Sequence, residues 1–164
     1  MNVDRDRLEI RPIEADDFDA ILAIAEIVEE APRWSRAHYE ELLPTGDLLP
    51  DRTSRPRIAL VAQDTHSREI LGFVIASLVG PEAELESIAV AAPAQRRGIG
   101  RLLLASLVTR LRAAGTADLH LEVRASNLAA ISFYRAENFK QTGVRLRYYA
   151  DPEEDAVLMT LHLA

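Results

Sequence analysis

LESIAVAAPAQRRGIGRLLLASLVTRL, residues 85 to 111, changes its hydrophobic period once, and that change decides the fold. Ile88, Ala89 and Val90 read as a buried strand and Ala91 to Arg97 as a short loop. Gly98-Ile99-Gly100 then turns the chain into a helix whose Leu103, Leu107 and Leu111 recur every fourth residue on one stripe. Two glycines at the junction let the backbone come close to a ligand without interference from a Cβ. The N–H groups at the helix start have no intrahelical partner, and Arg96, Arg97 and Arg101 add positive charge around them. A strand, a loop and a helix start of this kind form a seat for an anionic group such as pyrophosphate.

Two familiar phosphate ligands are disfavoured by what is missing. A nucleotide P-loop requires GxxxxGK[ST], and no Lys-Ser or Lys-Thr follows these glycines. A dinucleotide fingerprint requires a third glycine, and Leu103 stands in its place. A second informative block follows, LEVRASNLAAISFYRAENF at residues 121 to 139, in which Asn127 opens a helix and Tyr134 lies two turns along the same face.

Around these blocks the chain reads as alternating elements. Leu8 to Arg11 is a short strand stopped by Pro12, and Phe18, Ile21, Leu22, Ala25 and Val28 mark the buried face of a helix that Pro32 ends. Ser35 is a fair N-cap for a second short helix running to about Leu43. Pro44 to Pro56 has loop composition, and a loop that long points to function or mobility. Arg57–Gln63 and Ile70–Val79 read as a hairpin, followed by strands at 83–90 and 117–124 with the helix from Gly100 to Ala114 between them. A helix from Asn127 to about Glu137 and two closing strands, 139–149 and 156–163, complete the order. The expectation is a single α/β domain over residues 1–164, with about seven strands in a mixed sheet and four helices on both faces.

Composition narrows the partners. The 164 residues are 48% apolar, enough for one proper core, and the net charge of −7 argues against a broad basic surface for nucleic acid. There is no cysteine, which removes disulfides, thiolate metal sites and a cysteine acyl-enzyme. The N-terminus has no signal-peptide core, and the apolar run from Leu71 to Gly80 is half of the ~20 residues that span a bilayer. A soluble, cytoplasmic protein without a membrane partner is expected, as a monomer or weak homodimer. His38, His66, His120 and His162 are scattered and show no metal-ligand spacing, so no metal is expected.

QRRGIG after a strand ending in Ile-Ala-Val, followed some thirty residues later by the Asn127–Tyr134 block, resembles the acetyl-CoA signature of the GNAT (Gcn5-related) N-acetyltransferases in content and spacing. Members usually carry glycine before the phenylalanine that closes the second block; this chain has Asn138, the next best residue for a left-handed turn. EAPRWS at 30–35, LEVRASN and the tail RLRYYADPEEDAVLMTL are similar to the branch of the family that acetylates the N-terminal alanine of a small-subunit ribosomal protein. The likeness fails at Pro44–Pro56.

The resemblance implies the roles. Ile88, Ala89 and Val90 would pair with the pantetheine arm, and Gln95, Arg96, Arg97, Gly98, Ile99, Gly100 and Arg101 would hold the pyrophosphate. Asn127 would contact the cofactor, Glu122 would be the general base, and Tyr134 would protonate the leaving CoA sulfur. Trp34, Tyr148 and Tyr149 would line the acceptor channel. Simpler readings stand beside these. Glu122 pairs with Arg124 or His120, Tyr134 and the three acceptor-side aromatics merely pack, and Glu86 on the preceding strand is a rival base. The acceptor alternatives are a small-molecule amine or a lysine side chain; a non-catalytic acyl-CoA-binding module is a further alternative.

Overall fold

The computed structural model describes residues 5–28, 34–41 and 55–164, with Arg5 by its backbone only. The Pro32 helix stop, the start of EAPRWS and the long loop as far as residue 54 lie outside the described residues.

Seven strands form one mixed sheet: β1 (Leu8–Pro12), β2 (Arg57–Asp64), β3 (Ile70–Val79), β4 (Glu82–Val90), β5 (Asp118–Arg124), β6 (Lys140–Tyr149) and β7 (Glu154–His162). Their spatial order is β1-β2-β3-β4-β5-β7-β6. Neighbours are antiparallel except β4 and β5, the pair joined through a helix. The helices are α1 (Phe18–Ile27), α2 (Arg36–Glu40), α3 (Ile99–Ala113) and α4 (Leu128–Ala136). Among the described residues this is the expected order and helix count.

Alternation along the strands sorts two cores onto the two faces. Leu60, Ala62, Val74 and Ala76 turn towards Leu103, Leu107 and Leu111 of α3, and α4 adds Ile131 and Tyr134 to this cluster. Ala59, Val61, Phe73 and Ile75 turn the other way, against Phe18, Ile21 and Ile24 of α1 and Tyr39 of α2. The four-residue stripe of α3 is therefore the core seam. Among the described residues no helix is long and apolar enough to cross a membrane.

Glu14, Asp16 and Asp17 precede the helix, but Asp17 turns back to a two-point pair with Arg11, both contacts at 2.8 Å, and accepts from the Glu14 N–H. Burial opposes its charge, yet these partners hold its carboxyl below the usual range. Asp17 thus ties the end of β1 to the start of α1.

Candidate active site

The site begins with a failure of pairing. β4 and β5 run together only from Glu82 opposite Asp118 to Glu84 opposite His120, and then separate. On its other edge β4 stays on β3, with Val90 opposite Gly72 and Ile88 opposite Val74. The Ala91 N–H bonds to the Leu71 carbonyl, so opposed residues 71 and 91 are a hydrogen-bonded pair. Alternation then makes 89 and 73 the next such pair and turns the N–H and C=O of Ile88 and Val90 away from β3, into the gap. Ala89 faces β3 instead. Gln95 Nε2 donates to the Val90 carbonyl at 3.1 Å, which leaves the Val90 N–H and both polar groups of Ile88 for a ligand.

A bulge accompanies the separation. The register passes from Ile75 opposite Ser87 to Ala76 opposite Leu85, so Glu86 is an extra residue in β4. Its carboxylate is held at two points by Arg57.

Beyond β4 the loop shapes itself for an anion. Arg96 (φ 62) and Gly98 (φ 83) are left-handed and Arg97 between them is not, an alternation that makes successive N–H groups converge. Among the described residues no acceptor meets the N–H groups of residues 96 to 101. Arg97 Nε is buried and likewise without a described partner. These converging N–H groups, with the buried Arg97 Nε beside them, suit an anionic acceptor. Arg101 is partly engaged, its Nε lying 3.2 Å from Glu137 Oε1. Gly100 faces Val90 and the Phe133 ring, and Ile99 is a core residue beneath the loop.

Asn127 caps α4: its side chain accepts from the Ala130 N–H at 3.1 Å. The other end of α4 fixes Tyr134. Phe139 N–H bonds to the Tyr134 carbonyl and Asn138 N–H to that of Arg135, a Schellman closure with Asn138 at φ 70 in the position that usually takes glycine. The rings of Tyr134 and Phe139 meet edge to face at 5.4 Å. Burial, with a smaller effect of Tyr149, pushes the Tyr134 phenol well above its ordinary pKa. It is a protonated donor throughout the physiological range.

Glu122 stands on the opposite side of β5 from Leu121 and Val123 and faces an open cleft of about 460 Å³. Tyr148 and Arg145 of β6 border the same cleft, with Glu82, Glu84 and His120 along its floor. Glu122 meets Arg145 Nε at 3.4 Å and leaves Arg124 to Glu154 and His120 to Glu82, so neither simple pairing anticipated for it occurs. Its carboxylate, placed to accept from the Tyr148 hydroxyl, raises the pKa of that phenol. Tyr149 receives Arg124 over its ring at 4.3 Å and lies within electrostatic range of both Glu122 and Tyr134.

Trp34 stands apart. Its indole packs on His38 and Tyr39 and borders a separate hollow with Leu22, Ala25 and Glu26, and it is not among the residues lining the Glu122 cleft. Arg57, Arg145 and Arg55 were not singled out from the sequence. Each is brought in by cross-strand geometry that no local pattern announces.

Comparison with known proteins agrees with this arrangement. The Acetyltransferase (GNAT) family model matches residues 19–139. A [ribosomal protein bS18]-alanine N-acetyltransferase of Escherichia coli (strain K12) is 42% identical over 104 residues, 62% of this chain and 70% of that one. The Haemophilus influenzae protein of the same description is 33% identical over 157 residues, covering 94% of this chain and 98% of that one. Among solved structures, the ribosomal-protein-S18-alanine N-acetyltransferase from Escherichia coli superposes with a TM-score of 0.79 at 32% identity, over 96% of this chain and 94% of that one. A parted β4–β5 pair, an anion loop with spare donors and a match across most of the chain all lead to one family: this chain belongs to the GNAT acetyltransferases and is an acetyl-CoA-dependent N-acetyltransferase.

Proposed function

We propose that the chain acetylates the N-terminal alanine α-amine of a ribosomal protein of the bS18 type, by direct attack of the amine in a ternary complex. The relatives named above carry that acceptor in their descriptions. The observation that carries the mechanism is the gap between β4 and β5, with an anion loop at one side and Glu122 facing a cleft.

Acetyl-CoA supplies an activated acetyl thioester. The N–H groups of residues 96 to 101 and the Arg97 guanidinium suit its pyrophosphate, and the free polar groups of Ile88 and Val90 suit the pantetheine arm as an added strand. An N–H at this point also polarises the thioester oxygen. Asn127, whose Oδ1 is used as a cap, retains its amide N–H groups for a contact.

An α-amine with a pKa of about 7.8 is only about one-seventh neutral at pH 7. Glu122 takes the proton that the amine must lose, directly or through water, and Tyr134 gives its phenolic proton to the departing thiolate. Glu86 is the weaker base candidate, because Arg57 occupies both of its oxygens. Tyr148 and Arg145 border the acceptor side and hold the Glu122 carboxylate.

The test is mass spectrometry of reactions with acetyl-CoA and an Ala-initiated bS18 peptide, with a lysine peptide and a polyamine beside it. A single acetyl group on the alanine nitrogen is expected. Acetylation of the lysine peptide or the polyamine alone would refute the acceptor.

A further inference from the structure

At the start of the β4–β5 pairing, far along the strands from the anion loop, three ligating side chains converge from two strands, and His162 of β7 stands beside one of them. Glu82 lies opposite Asp118 in the parallel register, and His162 lies opposite Asp118 on β7. One donor atom each from Glu82, Asp118 and His120 lies within 4.8 Å of the other two. The His120 ring is fixed by its Nδ1 contact with Thr160 Oγ1 at 2.8 Å, which leaves Nε2 facing Glu82 Oε2 at 3.7 Å. His162 Nδ1 stands 2.8 Å from Asp118 Oδ1.

The charges here are unlike those of the neighbouring carboxylates. Glu84 has Arg55, Glu86 has Arg57 and Glu122 has Arg145. Among the described residues Glu82 and Asp118 have no arginine or lysine, only the two imidazoles. With those imidazoles neutral, two negative charges face each other across directly paired strands, an unfavourable arrangement that a cation relieves.

We propose that Glu82, Asp118 and His120 bind one divalent transition ion of the zinc type, with His162 orienting the Asp118 carboxylate by its 2.8 Å contact. Imidazole nitrogen with carboxylate oxygen suits zinc or cobalt better than magnesium or calcium, which take oxygen alone. Thr160 supplies what a metal-bound imidazole requires, an acceptor on its other nitrogen that fixes the ring and the tautomer. Glu82 lies 36 positions before Asp118 and only Asp118 and His120 are near neighbours, so the strand pairing and not a sequence spacing assembles the group. Glu82 and His120 also line the cleft that holds Glu122, so a bound ion narrows it. This last consequence rests on the reading of the cleft as the acceptor seat; the binding does not.

The experiment titrates the metal-free full chain with Co²⁺ and follows the visible ligand-field absorption, with Zn²⁺ as competitor. One Co²⁺ per chain, displaced by Zn²⁺, is expected. His120→Ala should abolish the absorption, and Glu82→Gln, at an exposed position, should weaken binding at least ~10-fold. His38→Ala and His66→Ala should leave it unchanged. A Zn²⁺-dependent rise in Tm, present in the parent chain and lost in Glu82→Gln, tests the same site without relying on the His120 variant. Absence of saturable absorption, or its survival in both His120→Ala and Glu82→Gln, overturns the site. In acetylation assays Zn²⁺ should compete with the acceptor peptide and not with acetyl-CoA. Binding without that competition overturns the effect on the cleft, and the peptide assay without metal judges the acceptor separately.

Discussion

Arg57 reaches Glu86 across an intervening strand, Nε to Oε2 at 2.8 Å and Nη2 to Oε1 at 3.3 Å. Arg57 is on β2, Glu86 is the bulge residue of β4, and between them on β3 Ser77 is wholly buried with an Oγ that has no described partner. Both side chains of the pair are less than a fifth exposed. Both oxygens of this carboxylate are taken up by the ion pair, so its place in the fold is structural.

Glu86→Gln should therefore act on stability and not on proton transfer. The amide keeps the shape, loses the charge and leaves Arg57 short of a partner, a loss of about 1 to 3 kcal/mol. Denaturant unfolding reads that loss, and the dependence of kcat/KM on pH should keep its parent shape. A rate that demands higher pH in this variant would transfer the base role to Glu86.

Glu122→Gln should do the reverse. Removing a general base lowers kcat/KM by roughly 10²-fold at pH 7. The deficit should shrink towards pH 9, because an α-amine with a pKa of about 7.8 becomes neutral unaided. A deficit constant across pH would indicate positioning alone. A second readout is spectroscopic: the Glu122 carboxylate holds the Tyr148 phenol up, so Tyr148 should ionise at lower pH in the variant, seen by ultraviolet titration of the tyrosines.

Tyr134→Phe preserves the edge-to-face contact with Phe139 and the Schellman end of α4, so the fold should be kept. kcat should fall at least ~10-fold, with KM for acetyl-CoA nearly constant, if the phenol protonates the thiolate. Because burial raises the Tyr134 pKa, the parent enzyme should lose no activity through this group as pH rises past 10. Turnover equal to the parent in Tyr134→Phe would remove the acid assignment.

What the sequence made legible was local. The switch from strand to helix at Gly98, the stripe of α3 and the Asn138 turn each declare themselves within a few residues, since period, glycine and helix-end chemistry are nearest-neighbour effects. The proposed donor side lies on that continuous stretch, so its local shape was readable. The proposed acceptor side is built across strands: Arg145 reaches Glu122 over β7, and Tyr148 arrives from the sheet edge. Such contacts depend on register, which a two-residue alternation leaves open until the strand order is known. Trp34 packs on Tyr39 and does not line the Glu122 cleft, a placement that its local pattern does not announce.

Two glycines separate close approach from backbone conformation. A Cβ at Gly72 would lie 2.8 Å from the Ala89 carbonyl oxygen and 3.3 Å from Val90 Cα, both backbone atoms of the strand that faces the gap. Gly72→Ala must therefore push β3 and β4 apart at Val90, at a cost of about 1 to 3 kcal/mol, and should raise KM for acetyl-CoA several-fold by displacing the Val90 N–H. Gly98 is the contrary case: nothing lies within 4 Å of its Cβ position, but its φ is +83. Gly98→Ala then suffers only the left-handed penalty, about 1 kcal/mol, which acts to flatten the alternation that gathers the loop N–H groups. Gly98→Asn should recover part of both stability and affinity, because asparagine tolerates that region better than alanine. Calorimetric binding of acetyl-CoA ranks the three chains, with the parent first, Gly98→Asn second and Gly98→Ala last. Equal affinity for all three would mean that the loop conformation does not hold the pyrophosphate.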